Sequence, residues 1–186
     1  YATTGVLHSD GRPPSGVQVL GAARYADLLV TFDQVTLSVP GATTVQMQGT
    51  MTVAAQPTWD MNARWSDFRW PLTGAVVLRS PSGTMQASGW REFRYRIDGE
   101  FAAAGAEPFT GHASGQFTET QMIVEESAWQ SFGGEIAVQG MLSRDAHRAW
   151  TLTGRAGQVD PATLREDLPG RLTFDFAASG RGFDGQ

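Results

Sequence analysis

Val45-Gln46-Met47-Gln48-Gly49-Thr50-Met51-Thr52-Val53 is the stretch that decides the fold. Its odd positions are apolar or glycine, and its even positions are Gln and Thr. Successive side chains of a strand point to opposite faces, so this period of two makes one greasy face and one wet one. The same beat returns at Phe93, Tyr95, Ile97, Gly99 and Phe101, set against Arg94, Arg96, Asp98 and Glu100. It returns again at Leu172, Phe174, Phe176 and Ala178, set against Thr173, Asp175 and Ala177. Parallel strands covered by helices would read as unbroken apolar runs. The expected chain is all-β, mostly antiparallel, with one solvated face.

Outward from these segments, further strands are expected over residues 17–20, 28–39, 60–68, 74–79, 83–88, 111–119, 121–127, 134–142 and 149–156. Turns are expected at Pro40-Gly41, Ser80-Pro81-Ser82-Gly83, Gly105 with Pro108, and Gly133-Gly134. One short helix is expected near residues 160–168, where Asp160 can cap, Pro161 suits the first position and Pro169-Gly170 ends it. Gly83-Thr84-Met85-Gln86-Ala87-Ser88-Gly89 is echoed by Gly134-Glu135-Ile136-Ala137-Val138-Gln139-Gly140, and Gly170-Arg171-Leu172-Thr173-Phe174 begins the same way. A unit whose greasy face cannot close alone is the material of stacked, repetitive proteins. The chain therefore reads as one fragment, 1–186, of a longer repetitive protein, with a looser repeat over 1–60 and better-matched ones over 61–186.

Composition narrows the function. A net charge of -5 argues against nucleic acid, which needs clustered cations to displace phosphate counterions. All 14 basic residues are Arg, and there is no Cys, which removes disulfides, zinc–thiolate clusters and thiol nucleophiles. His8, His112 and His147 lie far apart and form no metal-ligand spacing. Glu125 and Glu126 are adjacent and would face opposite sides of a strand; Asp98 and Glu100 share a face, but the solvated one. Gly180-Arg181-Gly182-Phe183-Asp184-Gly185 matches a dinucleotide fingerprint without the helix that must follow it. No acid, base and nucleophile converge, so an enzyme is not expected, and neither metal nor cofactor is implied. Most of the six Trp read as packing residues, the alternative being a carbohydrate platform or the lining of an apolar groove.

Arg69-Trp70-Pro71-Leu72-Thr73-Gly74, the Gly83-to-Gly89 repeat followed by Arg94-Tyr95-Arg96, and Phe132-Gly133-Gly134 with its own repeat form an ordered series. After them come Trp150, Val159-Asp160-Pro161-Ala162-Thr163-Leu164 and Leu168-Pro169-Gly170-Arg171-Leu172. This series resembles the TamB family of AsmA-like bacterial envelope proteins. Another Trp and a Pro that the family often carries after the repeat are missing from Leu142 to His147. The resemblance implies a long periplasmic protein anchored in the inner membrane. Its strands would curl into an elongated, taco-shaped trough with an apolar interior. It also implies passage of glycerophospholipid between inner and outer membrane, in support of outer-membrane assembly, and a partner in TamA, an outer-membrane barrel of the Omp85 type. The stretch would belong to the N-terminal or middle part of the trough. On this reading the trough is lined by Val45, Met47, Met51, Val53, Phe93, Tyr95, Ile97, Phe101, Ile136, Val138, Leu152, Leu172, Phe174 and Phe176. The competing expectation is a closed β-sandwich or adhesin-like module that holds carbohydrate or protein.

Overall fold

The structure, a computed structural model, describes residues 5, 6, 18–39, 43–71, 75–146, 148–163 and 165–182. Twelve strands follow one another: β1 Gly5–Val6, β2 Gln18–Ala26, β3 Leu29–Ser38, β4 Thr44–Thr52, β5 Trp59–Trp70 and β6 Leu78–Gly89. After them come β7 Phe93–Ala103, β8 Phe109–Phe117, β9 Gln121–Ser131, β10 Gly134–Ser143, β11 Ala149–Val159 and β12 Leu172–Arg181. Their hydrogen-bonded order is the chain order, an open meander. The chain divides into two compact units, Tyr1–Trp90 with Gly99–Ala106, and Arg91–Asp98 with Glu107–Gln186. The first contains β1 to β6, the second β8 to β12, and β7 contributes to each.

Tight connections make the meander. The β2–β3 hairpin turns on Asp27 and Leu28, and the β9–β10 hairpin on Phe132 and Gly133, all four with φ between 50° and 66°. Two central residues of positive φ give the turn whose twist matches that of the flanking strands. The turns expected at Gly105 and at Gly133-Gly134 are present, whereas Pro40-Gly41 lies outside the described residues.

Two sequence expectations change. Ser80-Pro81-Ser82-Gly83 is not a turn, because β6 runs straight through it. Pro81 lacks an N–H, and it stands where the β5–β6 ladder passes from the Phe68–Ser80 pair to the Ser66–Ser82 pair, across from Asp67 with its φ of 51°. Ser80 is fully buried, accepting a bond from Trp65 Nε1 at 2.7 Å and donating to the Glu100 carbonyl at 2.5 Å. The helix near 160–168 is present only as one 3-10 turn, Pro161–Thr163. Asp160 caps it, accepting from Ala162 N at 3.0 Å, but Thr163 Oγ1 donates back to the Asp160 carbonyl at 2.7 Å. A first turn that gains so few bonds does not propagate.

Among the described residues three strands, β3, β9 and β11, carry a bulge where the alternation of apolar residues slips by one. In β3 the apolar positions are Val30 and Phe32, then Val35 and Leu37, and the register shifts between Phe32 and Val35. In β9 they are Met122 and Val124, then Trp129, with a shift at Glu125. In β11 they run from Trp150 to Ala156, then to Val159, with a shift after Ala156 and Gln158 at a φ of 56°. An extra residue in one strand absorbs each slip and returns the greasy side chains to one face. It also overturns the reading of Glu125 and Glu126. Glu126 stands opposite Ser114, and Glu125 accepts a bond from Gln116, so the bulge puts both carboxylates on the same polar face.

Ser127 completes the β9 bulge. Its hydroxyl accepts from Val138 N at 3.0 Å and donates to Val138 O at 2.7 Å, replacing the ladder partners that the bulge removed. Ser127 is buried, so Ser127→Ala leaves both groups without a partner. A loss of about 1–3 kcal/mol of unfolding free energy is expected in urea titration. An unchanged midpoint would show that water replaces the hydroxyl.

Among the described residues of each unit the extensive strand contacts run only between sheet neighbours. Among the described residues the buried apolar side chains are only Ala87, Phe101, Ala113, Ala156, Val159 and Pro161. The described residues of each unit form one layer, not the sandwich of the competing expectation.

Candidate functional site: the apolar sheet face

Register sorts the side chains onto faces, because residues directly opposite in an antiparallel ladder share a side. In the first unit, Val19, Leu37, Val45, Trp65 and Gly83 lie side by side across β2 to β6. The next rows are Gly21, Val35, Met47, Ala63 and Met85, then Ala23, Phe32, Gly49, Met61 and Ala87, then Tyr25, Val30, Met51, Trp59 and Gly89. Four strand-crossing rows thus carry no charged side chain. The opposite face holds Gln46, Gln48, Arg64, Asn62, Thr84 and Gln86.

The second unit repeats the division. Phe117, Met122, Leu142, Trp150 and Gly180 form one row, and Gly115, Val124, Gly140, Leu152 and Ala178 the next. Val138, Gly154 and Phe176 follow, and then Gly111, Trp129, Ile136, Ala156 and Phe174. A recess of about 380 Å³ opens on this face, lined by Met122, Val124, Gly140, Leu142, Trp150 and Leu152, with Met141 at its border. Its lining is almost wholly apolar. Such a surface holds hydrocarbon by area alone, without fixing its orientation.

The expected lining residues are divided between the two units. Val45, Met47 and Met51 share the first unit's apolar face, while Val53 lies past the end of β4, 41 % exposed. Phe101 is closed in: it is buried against Trp65, whose ring centroid is 6.1 Å away and which also packs on Phe68. In the second unit Ile136, Val138, Leu152, Phe174 and Phe176 share the apolar face, and Leu172 joins it opposite Val159. Leu172 and Phe174 are about half exposed. Phe93 stacks on Phe117 at 4.9 Å, and Ile97 is half-buried on the same strand. Tyr95 donates its phenol proton to the Ile123 carbonyl at 3.1 Å. Burial, and then the Glu125 charge, raises its pKa above the ordinary value, so the ring stays neutral.

Sequence reading missed β3 and β5 as contributors, although Trp59, Met61, Ala63 and Trp65 alternate plainly. It also took most of the tryptophans as packing residues, with an apolar lining only as the alternative. Four of them, Trp59, Trp65, Trp129 and Trp150, lie on the apolar face, and each stands opposite a glycine: Gly89, Gly83, Gly111 and Gly180. A Cβ on Gly180 would come within 2.6 Å of the Trp150 ring, and one on Gly154 within 2.4 Å of the Phe176 ring. The glycines give the rings room to lie across the neighbouring strand and cover its backbone. Trp70 and Trp90 are exposed instead.

Charges keep to the other side and the ends. Arg24 pairs with Asp33 at 2.6 Å and Arg155 with Asp175 at 3.8 Å, both exposed and worth little. Arg144 caps the end of the face, its guanidinium 4.4 Å from the Phe117 ring centroid while it donates to Thr118 O at 2.9 Å. Among the described residues no cluster of metal-ligating side chains occurs and no helix is long and apolar enough to cross a membrane. His8, His147 and residues 183–185 of the glycine motif lie outside the described residues.

No curated protein and no solved structure matches the chain. The family model described as TamB, N-terminal domain, matches residues 31–186. With apolar strand faces laid out in chain order and that match spanning most of its length, the chain belongs to the TamB family of cell-envelope proteins.

Proposed function

We propose that this chain is a lipid-conducting segment of a periplasmic TamB protein, anchored in the inner membrane through the full-length chain. In this reading it carries glycerophospholipid acyl chains along its apolar faces towards an outer-membrane partner of the TamA type. The observation that supports it is the almost wholly apolar recess at Met122, Val124, Leu142, Trp150 and Leu152, on a face that no second layer covers within its unit. Burying a methylene is worth about 0.8 kcal/mol, so an acyl chain of about fifteen would gain on the order of 12 kcal/mol if enclosed, and about half that on an open face. That suffices to hold the tail while the headgroup stays in water. The attraction has no direction, so a tail can slide from row to row, and no catalytic group is called for.

Photocrosslinking from position 152 in cells tests the reading, with position 153 on the polar face as the control. A phospholipid adduct is expected from 152 and not from 153. Absence of adduct from 152, 136 and 176 alike would overturn it.

A further inference from the structure

The polar face of the first unit contains a second, open recess of about 340 Å³. Its walls are two rows of side chains crossing three strands: Gln46, Arg64 and Thr84 on one side, Gln48, Asn62 and Gln86 on the other. The rows sit two residues apart along each strand, which sets them roughly 7 Å from one another. Between them Met47, Ala63 and Met85 send their side chains to the opposite face, so the floor is bare backbone. The result is a narrow slot running across the strands.

The slot's chemistry is specific in two ways. None of those six side chains makes a hydrogen bond or ion pair to another described residue, so their amide and hydroxyl groups face solvent, where a ligand can reach them. Amides offer a donor and an acceptor side by side, the pairing that a sugar hydroxyl needs. Charge is also uneven. The acid that lines the slot, Asp33, forms an exposed ion pair with Arg24 at 2.6 Å, and Asp60 stands one row beyond on the same face, whereas Arg64 faces the slot without an ion-pair partner. Bulging of β3 turns Gln34 to this side beside Asp33 and adds a further amide to the rim.

We propose that this slot binds a glycan strand, its hydroxyls on the two amide rows and a carboxylate-bearing sugar against Arg64. The site lies on the reverse of the apolar face and is independent of the lipid reading. It would tether the protein to an acidic polysaccharide while leaving the greasy face free. The test presents the whole 186-residue chain to immobilised acidic oligosaccharides (oligogalacturonate), neutral oligosaccharides (cellohexaose) and a Ser/Gln-rich peptide. Binding is expected to be strongest for the acidic glycan. Arg64→Gln should weaken that binding by about tenfold and leave the neutral glycan unchanged, as a charge-assisted bond is about twice as strong as a neutral one. The Gln48→Ala, Gln86→Ala double variant, both side chains being exposed, should weaken both glycans by roughly tenfold or more. The proposal is overturned if no glycan binds, if binding survives the double variant, or if the peptide is preferred and lost in the same variants.

Discussion

Leu152→Asp is expected to strip the purified chain of co-purifying phospholipid in native mass spectrometry, whereas Thr153→Asp leaves the lipid in place. The two positions are neighbours on β11 that point to opposite faces. Leu152 stands between Gly140 and Ala178 and lines the apolar recess; Thr153 stands exposed between Gln139 and Ala177. A carboxylate at 152 meets Met122, Val124 and Trp150, none of which offers it a cation. Desolvating it against a passing tail costs about 3 kcal/mol or more, at least roughly a hundredfold in occupancy. Leu152 is only half-buried, so the strand itself tolerates the change, which circular dichroism checks. Equal lipid loss at both positions would point to unfolding, and no loss at either would remove β11 from the lipid path.

Gly154→Ala should cost the second unit about 2–3 kcal/mol of stability, while Gly157→Ala, three residues along the same strand, should change it by less than about 0.5 kcal/mol. A Cβ at 154 would lie 2.4 Å from the Ala137 carbonyl oxygen and 2.4 Å from Phe176 Cζ. The ring can swing aside, but the carbonyl belongs to the adjoining backbone and cannot move without stretching the β10–β11 ladder. At 157 the nearest atom is the Glu135 carbonyl oxygen at 3.9 Å, an ordinary contact. Urea unfolding of the two variants separates them. Should both fall equally, crowding at 154 would not be the cause, since restricting the unfolded chain by itself favours the fold.

Much of this arrangement was legible in the sequence. Val45 to Val53 announces a two-faced strand, and the TamB resemblance drawn from Trp70, Gly134 and Asp160 agrees with the family match. The bulges were legible too and went unread: Phe32 followed by Val35, and Val124 followed by Trp129, each break a beat of two. What the sequence hid is pairing. Nothing near Trp150 says that Gly180 lies beside it, since that depends on the register of two strands joined by a long connection. Ser127 was invisible for a related reason, because its role exists only once the ladder is broken at Glu125. Ser80-Pro81-Ser82-Gly83 misled in the other direction. Its residues favour a turn locally, yet a buried Ser80 bonded to Trp65 and Glu100 holds it extended.

Since the strands of each unit touch little beyond their immediate flanking partners, damage has nowhere far to travel. Loosening any one strand weakens the two that border it, and strands further along the ladder keep their own bonds. Such a sheet melts like a zipper opened in the middle and not like a bead bursting. Amide protons should accordingly exchange at graded rates from strand to strand, and the ribbon can lengthen by adding strands without rebuilding what is already there.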